Sequence, residues 1–263
     1  MDVEKAKAFR ALHEDSLLVL PNAWDAGSAA VIVNAGAKAV ATTSGGVAWS
    51  LGKADGQQLG RAEMVEVVRR VVAAVDVPVT ADIEGGYGPA PDDVGATIAA
   101  VVAAGAVGAN LEDSKPDGTL FAIAEQAERL KAARASAPAE FVLNARTDVF
   151  LLGDKDFDDL LARARAYAEA GADCLFVPGL IDLDALRSLV DQSPLPINVM
   201  GFPGVASPKE LAAIGVRRLS VGTAVAQAAY GTAARAAKAL LEEGSYDALA
   251  DGPDYGTMNS LFT

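Results

Sequence analysis

From Leu17 to Val221 the chain alternates between short apolar runs rich in β-branched residues and longer alanine-rich stretches with helical spacing. The short runs are Leu17–Leu20, Ala39–Thr43, Val77–Asp82, Gly108–Glu112, Phe141–Arg146, Cys174–Val177, Ile197–Met200 and Arg218–Val221. Each reads as a buried strand. Between them Ala62–Val75, Pro91–Ala104, Phe121–Ala135, Phe157–Ala170 and Pro208–Ile214 read as helices. Asn34-Ala35-Gly36-Ala37, Ala103-Ala104-Gly105-Ala106, Glu169-Ala170-Gly171-Ala172 and Ala213-Ile214-Gly215-Val216 each put glycine where a helix must stop with positive φ. A strand follows each stop. Eight strands with crossover helices predict an α/β fold, a (β/α)₈ TIM barrel. A doubly wound open sheet is the alternative, but no G-x-G-x-x-G follows the first strand. One domain over 1–263 is expected. Its part 223–263 is a C-terminal helical extension: a long helix over Thr223–Glu243, then a segment Ser245–Thr263 suited to oligomer contacts.

Charge and rare residues narrow the function classes. With 22 Lys+Arg against 35 Asp+Glu the formal net charge is −13, which opposes nucleic-acid binding and docking on anionic membranes. A single cysteine, Cys174, excludes an intrachain disulfide and a cysteine-based zinc site. It reads as a small core hydrophobe. A single histidine, His13, excludes any site needing two, and it reads as a surface residue. The uncharged run Val94–Leu111 contains three glycines and ends in Asn110-Leu111-Glu112-Asp113, which suits a helix, a turn and a strand better than a membrane span. The charged segment Met1–Lys7 lacks an apolar signal core, and the protein is expected to be cytoplasmic.

In such a barrel the functional residues lie at the C-terminal ends of the strands. Those ends carry Asn22, Trp24 and Asp25; Thr43, Ser44, Gly45 and Gly46, then Asp55; Asp82-Ile83-Glu84-Gly85-Gly86-Tyr87-Gly88; Glu112; Arg146; and Asn198. Four acids, Asp55, Asp82, Glu84 and Glu112, would meet one arginine at a single mouth. Close carboxylates repel by about 4 kcal/mol per pair at an effective dielectric near 20, so the set calls for a cation. Oxygen-only donors select a hard ion, best Mg²⁺. Strand-end acids also cap helices, and Asp25 reads as such a cap for the run from Ala26. Asp82 and Glu84, followed by three glycines around Tyr87, read as functional. Ser44-Gly45-Gly46 reads as an anion cradle of backbone N–H groups. Arg146 must be paired, with a structural acid or with a substrate carboxylate. Trp24 lines the mouth or packs in the core, and Trp49 sits in a loop able to close over the site.

Leu20-Pro21-Asn22-Ala23-Trp24-Asp25, Thr43-Ser44-Gly45-Gly46, Asp55, the Asp82–Gly88 segment, Leu111-Glu112-Asp113 and Asn144-Ala145-Arg146 occur here in order. On these motifs the sequence resembles the isocitrate lyase/phosphoenolpyruvate mutase superfamily, most of all its short, phosphonomutase-like branch. The resemblance implies a (β/α)₈ barrel assembled as a homotetramer, a dimer of dimers with helix exchange. It implies Mg²⁺, or Mn²⁺, bound through Asp82, with Asp55, Glu84 and Glu112 close by or acting through water. Ser44, Gly45 and Gly46 would hold a small carboxylate substrate, with Arg146 on its anionic end and Trp24 and Asn198 nearby. Two departures narrow the chemistry. The loop after Glu112 reads Ser114-Lys115-Pro116-Asp117-Gly118-Thr119-Leu120, without the cysteine and histidine of isocitrate lyases. Pro178 stands where phosphoenolpyruvate mutase carries a histidine.

The parts kept are those that bind Mg²⁺ and stabilise an enolate. They predict a Mg²⁺-dependent lyase or decarboxylase acting on a small 2-oxo or 2-hydroxy acid. Tyr87, Glu112 and Lys115 are the candidate proton-transfer groups, and the residues do not choose among them. Alternatives are a phosphonomutase, a different barrel enzyme with a phosphate site at Gly201–Gly204 and Val221–Thr223, and a non-catalytic binder of an anionic metabolite.

Overall fold

The computed structural model describes residues 1–14, 16–153 and 155–262. Thr263, the last residue of the expected C-terminal segment, lies outside the described residues. The elements are α1 Val3–Ala11, β1 Leu18–Leu20, β2 Asn22–Ala23, α2 Ala26–Asn34, β3 Val40–Thr42, α3 Ser44–Ser50, α4 Arg61–Ala74, β4 Val79–Asp82, α5 Pro91–Ala104, β5 Gly108–Glu112, α6 Ile123–Ala135, β6 Val142–Arg146, α7 Phe157–Glu169, β7 Cys174–Phe176, α8 Leu183–Gln192, β8 Ile197–Met200, α9 Pro208–Ala213, β9 Arg218–Ser220, α10 Ala224–Lys238 and α11 Tyr255–Ser260.

Among the described residues all nine strands are parallel, in the order β1-β9-β8-β7-β6-β5-β4-β3-β2. The two ends of that order are consecutive in sequence. Pro21 divides what the sequence reads as one strand: Leu18–Leu20 pairs with β9 and Asn22–Ala23 with β3. Proline has no N–H to give the ladder, so the stave breaks there, and its two halves close the barrel. The expected TIM barrel is therefore present, with one stave in two pieces.

Local sequence sets the ends of the helices. Asp25 and Ser28 form a reciprocal cap on α2, and Ser207 and Glu210 do the same on α9. Gly36, Gly105, Gly171 and Gly215 all have φ between 93° and 102°, as helix stops require. Ser44-Gly45-Gly46 forms the first turn of α3. The expected tail helix runs as α10 to Lys238 and then as a π-helical turn over Ala239–Glu243. Two expectations fail. Trp49 lies on α3 rather than in a loop. His13 is half-buried rather than on the surface: its ring packs edge-on against Phe9, and its Nδ1 lies 2.8 Å from the Phe9 carbonyl.

α1 closes the base of the barrel, with Ala6 and Phe9 fully buried against Leu18, Leu20, Ala41 and Val142. The larger apolar cluster lies between the strands and the helical ring. Cys174 is buried in β7 as a small core side chain, its thiol pushed by burial up to about 12. The interior layer above α1 is polar. Asn144 Nδ2 donates to Asn110 Oδ1 at 2.7 Å, and Asn198 Nδ2 donates to Ser220 Oγ at 3.1 Å. Among the described residues, no helix is long and apolar enough to cross a membrane.

Candidate active site

The C-terminal strand ends open into a cavity of about 310 Å³. Ser44, Asp55, Glu84, Glu112, Lys115 and Arg146 line it, so six of the residues singled out in the sequence meet there. The strand register explains why. Glu112 and Arg146 are direct partners across β5 and β6, and Asp82 faces Asn110 across β4 and β5. Glu84 and Asp148 follow two residues beyond the ends of β4 and β6 and line the same cavity.

Arg146 is held by internal acids. Its Nη1 lies 2.8 Å from Glu112 Oε2, while Nε and Nη2 donate to the two oxygens of Asp148 at 2.6 and 3.0 Å. Of the two pairings open at the sequence level, the structural one is present. Burial alone would lower the Arg146 pKa, but Glu112 and Asp148 hold it above the ordinary range. Burial pushes the Glu112 carboxyl up against the opposing pull of Arg146. Asp148 is the residue that sequence reasoning left without a role. Its signal was the Arg-x-Asp spacing at a strand end.

Asp148 is itself fixed from behind. Its N–H donates to Asp113 Oδ1 at 2.9 Å, while Asp113 Oδ2 accepts from Tyr167 Oη at 2.6 Å and from Arg163 Nη1 at 3.0 Å. Asp113 and Tyr167 are fully buried.

Asp82 and Glu84 stand at the end of the neighbouring strand β4. Asp82 Oδ2 accepts from the Ser44 N–H at 3.2 Å, and its Oδ1 from the Glu84 N–H at 3.3 Å. Glu84 takes the Gln57 N–H on Oε2 and the Tyr87 hydroxyl on Oε1, the latter at 3.1 Å. Burial, then the charge of Asp82, pushes the Glu84 carboxyl up to about 7; burial also raises Asp82. The Tyr87 hydroxyl is raised well above its ordinary value, first by burial and then by Glu84, so it acts here as a donor. Glu84 and Tyr87 have φ of 48° and 59°, a left-handed backbone that non-glycine residues adopt at a cost of about 1–3 kcal/mol each. The surrounding contacts hold them there, as is common at functional sites.

Gly45 and Gly46 owe their identity to close packing. A Cβ on Gly45 would lie 2.7 Å from Thr223 Cγ2 and 3.0 Å from Asp55 Oδ2, and one on Gly46 would lie 2.9 Å from Trp24 Cβ. Trp24 packs against Tyr230 of α10, ring centroids 6.2 Å apart. Asn198 is fully buried in the polar interior layer below the cavity.

The donor set fits a hard divalent ion. Every candidate donor is oxygen, and Asp55, Asp82 and Glu84 lie close enough to act on one another's charge. The nearby cations are engaged elsewhere: Arg146 as described, and Lys115 at 4.0 Å from Glu125 and over the Phe121 ring. Among the described residues, no three His, Cys, Asp or Glu side chains converge as a ready-made cage. Mg²⁺ keeps several waters and takes one or two carboxylates directly.

A family model described as phosphoenolpyruvate phosphomutase matches residues 9–241. The 2-methylisocitrate lyase of Escherichia coli is 32% identical over 205 residues, covering 73% of this chain and 68% of that protein. The oxaloacetate decarboxylase of Bradyrhizobium sp. is 33% identical over 181 residues, covering 65% and 60%. A crystal structure from Burkholderia cenocepacia J2315 superposes with a TM-score of 0.94 at 39% identity, covering 99% of this chain and 98% of that one. The chain belongs to the phosphoenolpyruvate phosphomutase family, within the isocitrate lyase/phosphoenolpyruvate mutase superfamily. Members of that superfamily are enzymes: lyases, mutases and hydrolases.

Proposed function

We propose that this family member is a divalent-metal-dependent lyase that breaks a carbon–carbon bond beside the carbonyl or hydroxyl of a small 2-oxo or 2-hydroxy acid, with decarboxylation of an oxo diacid as its favoured reaction. The observation that carries this reading is the meeting of several carboxylates with one fixed guanidinium at neighbouring strand ends. Asp82, Glu84 and Glu112 gather there with Asp55, and Arg146 stands clamped by Glu112 and Asp148.

Asp82 and Glu84 are the residues to hold Mg²⁺ or Mn²⁺, with Asp55 and Glu112 placed to hold its waters. Such an ion, when bound, supplies a Lewis acid to the oxygen on which enolate charge develops. Arg146 has five N–H groups and spends three on its acids; the other two remain to orient a substrate carboxylate. Because the guanidinium is already fixed, little reorganisation is needed as charge moves in the substrate. Tyr87 holds Glu84 through its hydroxyl rather than accepting a proton. Lys115, on the cavity-lining loop Ser114–Leu120, is the group to return a proton to the enolate carbon. Loss of carbon dioxide needs no acid on the leaving group, which matches a loop without cysteine or histidine. The chain is further proposed to act in the cytoplasm as a homo-oligomer, a dimer of dimers. The exposed apolar side chains Leu241, Tyr246 and Tyr255 of its C-terminal segment support the assembly.

A coupled assay of pyruvate release across 2-oxo and 2-hydroxy diacids, with and without Mg²⁺, tests the reading. Mg²⁺-dependent turnover of an oxo diacid is expected. No turnover of any diacid, together with conversion of phosphonopyruvate seen by phosphorus NMR, would replace the lyase with a phosphonomutase.

A further inference from the structure

Arg218 lies in the closed interior of the barrel, below the cavity, with no exposed surface. Only its Nη2 is used, donating to Asn110 Oδ1 at 3.2 Å; Nε and Nη1 have no partner. Three other arginines with little exposed surface are handled differently. Arg146 and Arg163 are paired with carboxylates, and Arg129 donates to the carbonyls of Gly85, Gly88 and Pro89. Burial lowers the Arg218 pKa to about 10, which leaves the group charged at neutral pH. Asp82 acts on it only from the layer above, past Asn110.

A second polar group is left over in the same space. Thr80 Oγ1 is buried without a partner. A Cβ built on Gly108 would lie 3.0 Å from Thr80 Oγ1 and 3.1 Å from Phe9 Cε1, and the Arg218 guanidinium carbon stands 5.6 Å from that same Phe9 ring. A buried charge without a counter-charge costs more than one hydrogen bond returns, and water would satisfy the N–H groups without neutralising the ion.

We propose that Arg218 and Thr80 form a binding site for a small monovalent anion of the halide type in the centre of the barrel. The unused guanidinium N–H groups and the Thr80 hydroxyl are the donors, and Phe9 with Leu20 and Ala41 supplies apolar walls. The close approach of Thr80, Phe9 and the Val142 carbonyl around Gly108 favours the smallest anion. Two unpartnered acceptors mark the limits of the site. Asn144 Oδ1 is one; the other is His13 Nε2, which carries no proton when Nδ1–H donates to the Phe9 carbonyl.

Thermal unfolding of the full chain in chloride against gluconate, at constant ionic strength, tests the site. A saturable rise of about 3 °C with chloride is expected for the native protein, and none with gluconate. The rise should vanish in Arg218→Met and shrink in Thr80→Val, a near-isosteric change that keeps the fold if the arginine variant does not. Crystals soaked in bromide should show an anomalous peak beside Arg218 Nε or Nη1 and Thr80 Oγ1. An equal response to chloride and gluconate, a chloride response unchanged in both variants, or bromide crystals holding only water at that position would each overturn the proposal.

Discussion

Glu112 and Arg146 stand opposite each other in the register of β5 and β6, and their side chains meet at 2.8 Å. Arg146 thereby serves two acids, Glu112 and Asp148, before any substrate arrives. Replacing it leaves two nearly buried carboxylates without a counter-charge. Arg146→Met should destabilise the metal-free protein by about 3 kcal/mol, and added Mg²⁺ should restore part of that loss. Urea unfolding with chelator and with Mg²⁺ measures both effects. A variant as stable as the native chain in chelator would show that the pair holds nothing.

Asp82 and Glu84 predict the reverse coupling. Asp82 receives two backbone N–H groups and is raised by burial, so a cation that binds it also relieves Glu84. Millimolar Mg²⁺ should raise the melting temperature of the native protein. Asp82→Asn, which keeps the size and removes the charge, should abolish that shift and lower turnover by at least about 100-fold while the fold persists. The same Mg²⁺ shift in Asp82→Asn, seen by differential scanning calorimetry, would remove Asp82 from the metal role.

Asp113 transmits order to the cavity without lining it. It fixes the Asp148 backbone from one oxygen and takes Tyr167 and Arg163 on the other. Tyr167→Phe removes one hydrogen bond to a charged, buried acceptor and should cost about 2 kcal/mol. Asp113→Asn takes one of the two carboxylates from Arg163, which keeps Asp159 at 2.7 Å, and should cost about 2 kcal/mol. A double-mutant cycle between the two positions should show coupling of about 1 kcal/mol or more; additive losses would mean the two act independently.

Much of this could be read in the chain. The glycine stops after the helices are written in local sequence, because positive φ is a property of single residues. The gathering of Asp55, Glu84, Glu112 and Arg146 followed from one rule, that barrel sites lie at strand ends. What stayed hidden depended on register and on contacts far along the chain. The Glu112–Arg146 pairing needs the β5–β6 offset, which neither strand encodes alone. That Ser44–Gly46 starts α3 was not legible; its two glycines are there because Thr223, Asp55 and Trp24, distant in sequence or contributed by other elements, leave no room for a Cβ. His13 looked like a surface residue in a charged segment; it is half-buried because α1 turns its Phe9 face into the base of the barrel.

His13 supplies the pH dependence most open to measurement. Burial first, then the nearby charge of Arg218, lowers its pKa from the ordinary 6.5 to about 4, while the Phe9 carbonyl and Asp173 pull weakly the other way and Arg10 adds to the lowering. Between about pH 4 and 6.5 the unfolded chain therefore binds more protons at this position than the folded one, and stability rises with pH across that window. The contribution is complete above pH 6.5 and is lost as pH falls toward 4. Each pH unit in the window is worth about 1.4 kcal/mol, so the native protein should lose about 2 kcal/mol from this group between pH 7 and pH 5. His13→Gln keeps a polar side chain but cannot titrate, and its unfolding free energy should be flatter over the same interval by that amount. Urea titrations at pH 7, 6 and 5 on both proteins measure the difference. Parallel losses would mean that the imidazole is protonated as readily in the folded barrel as in the unfolded chain.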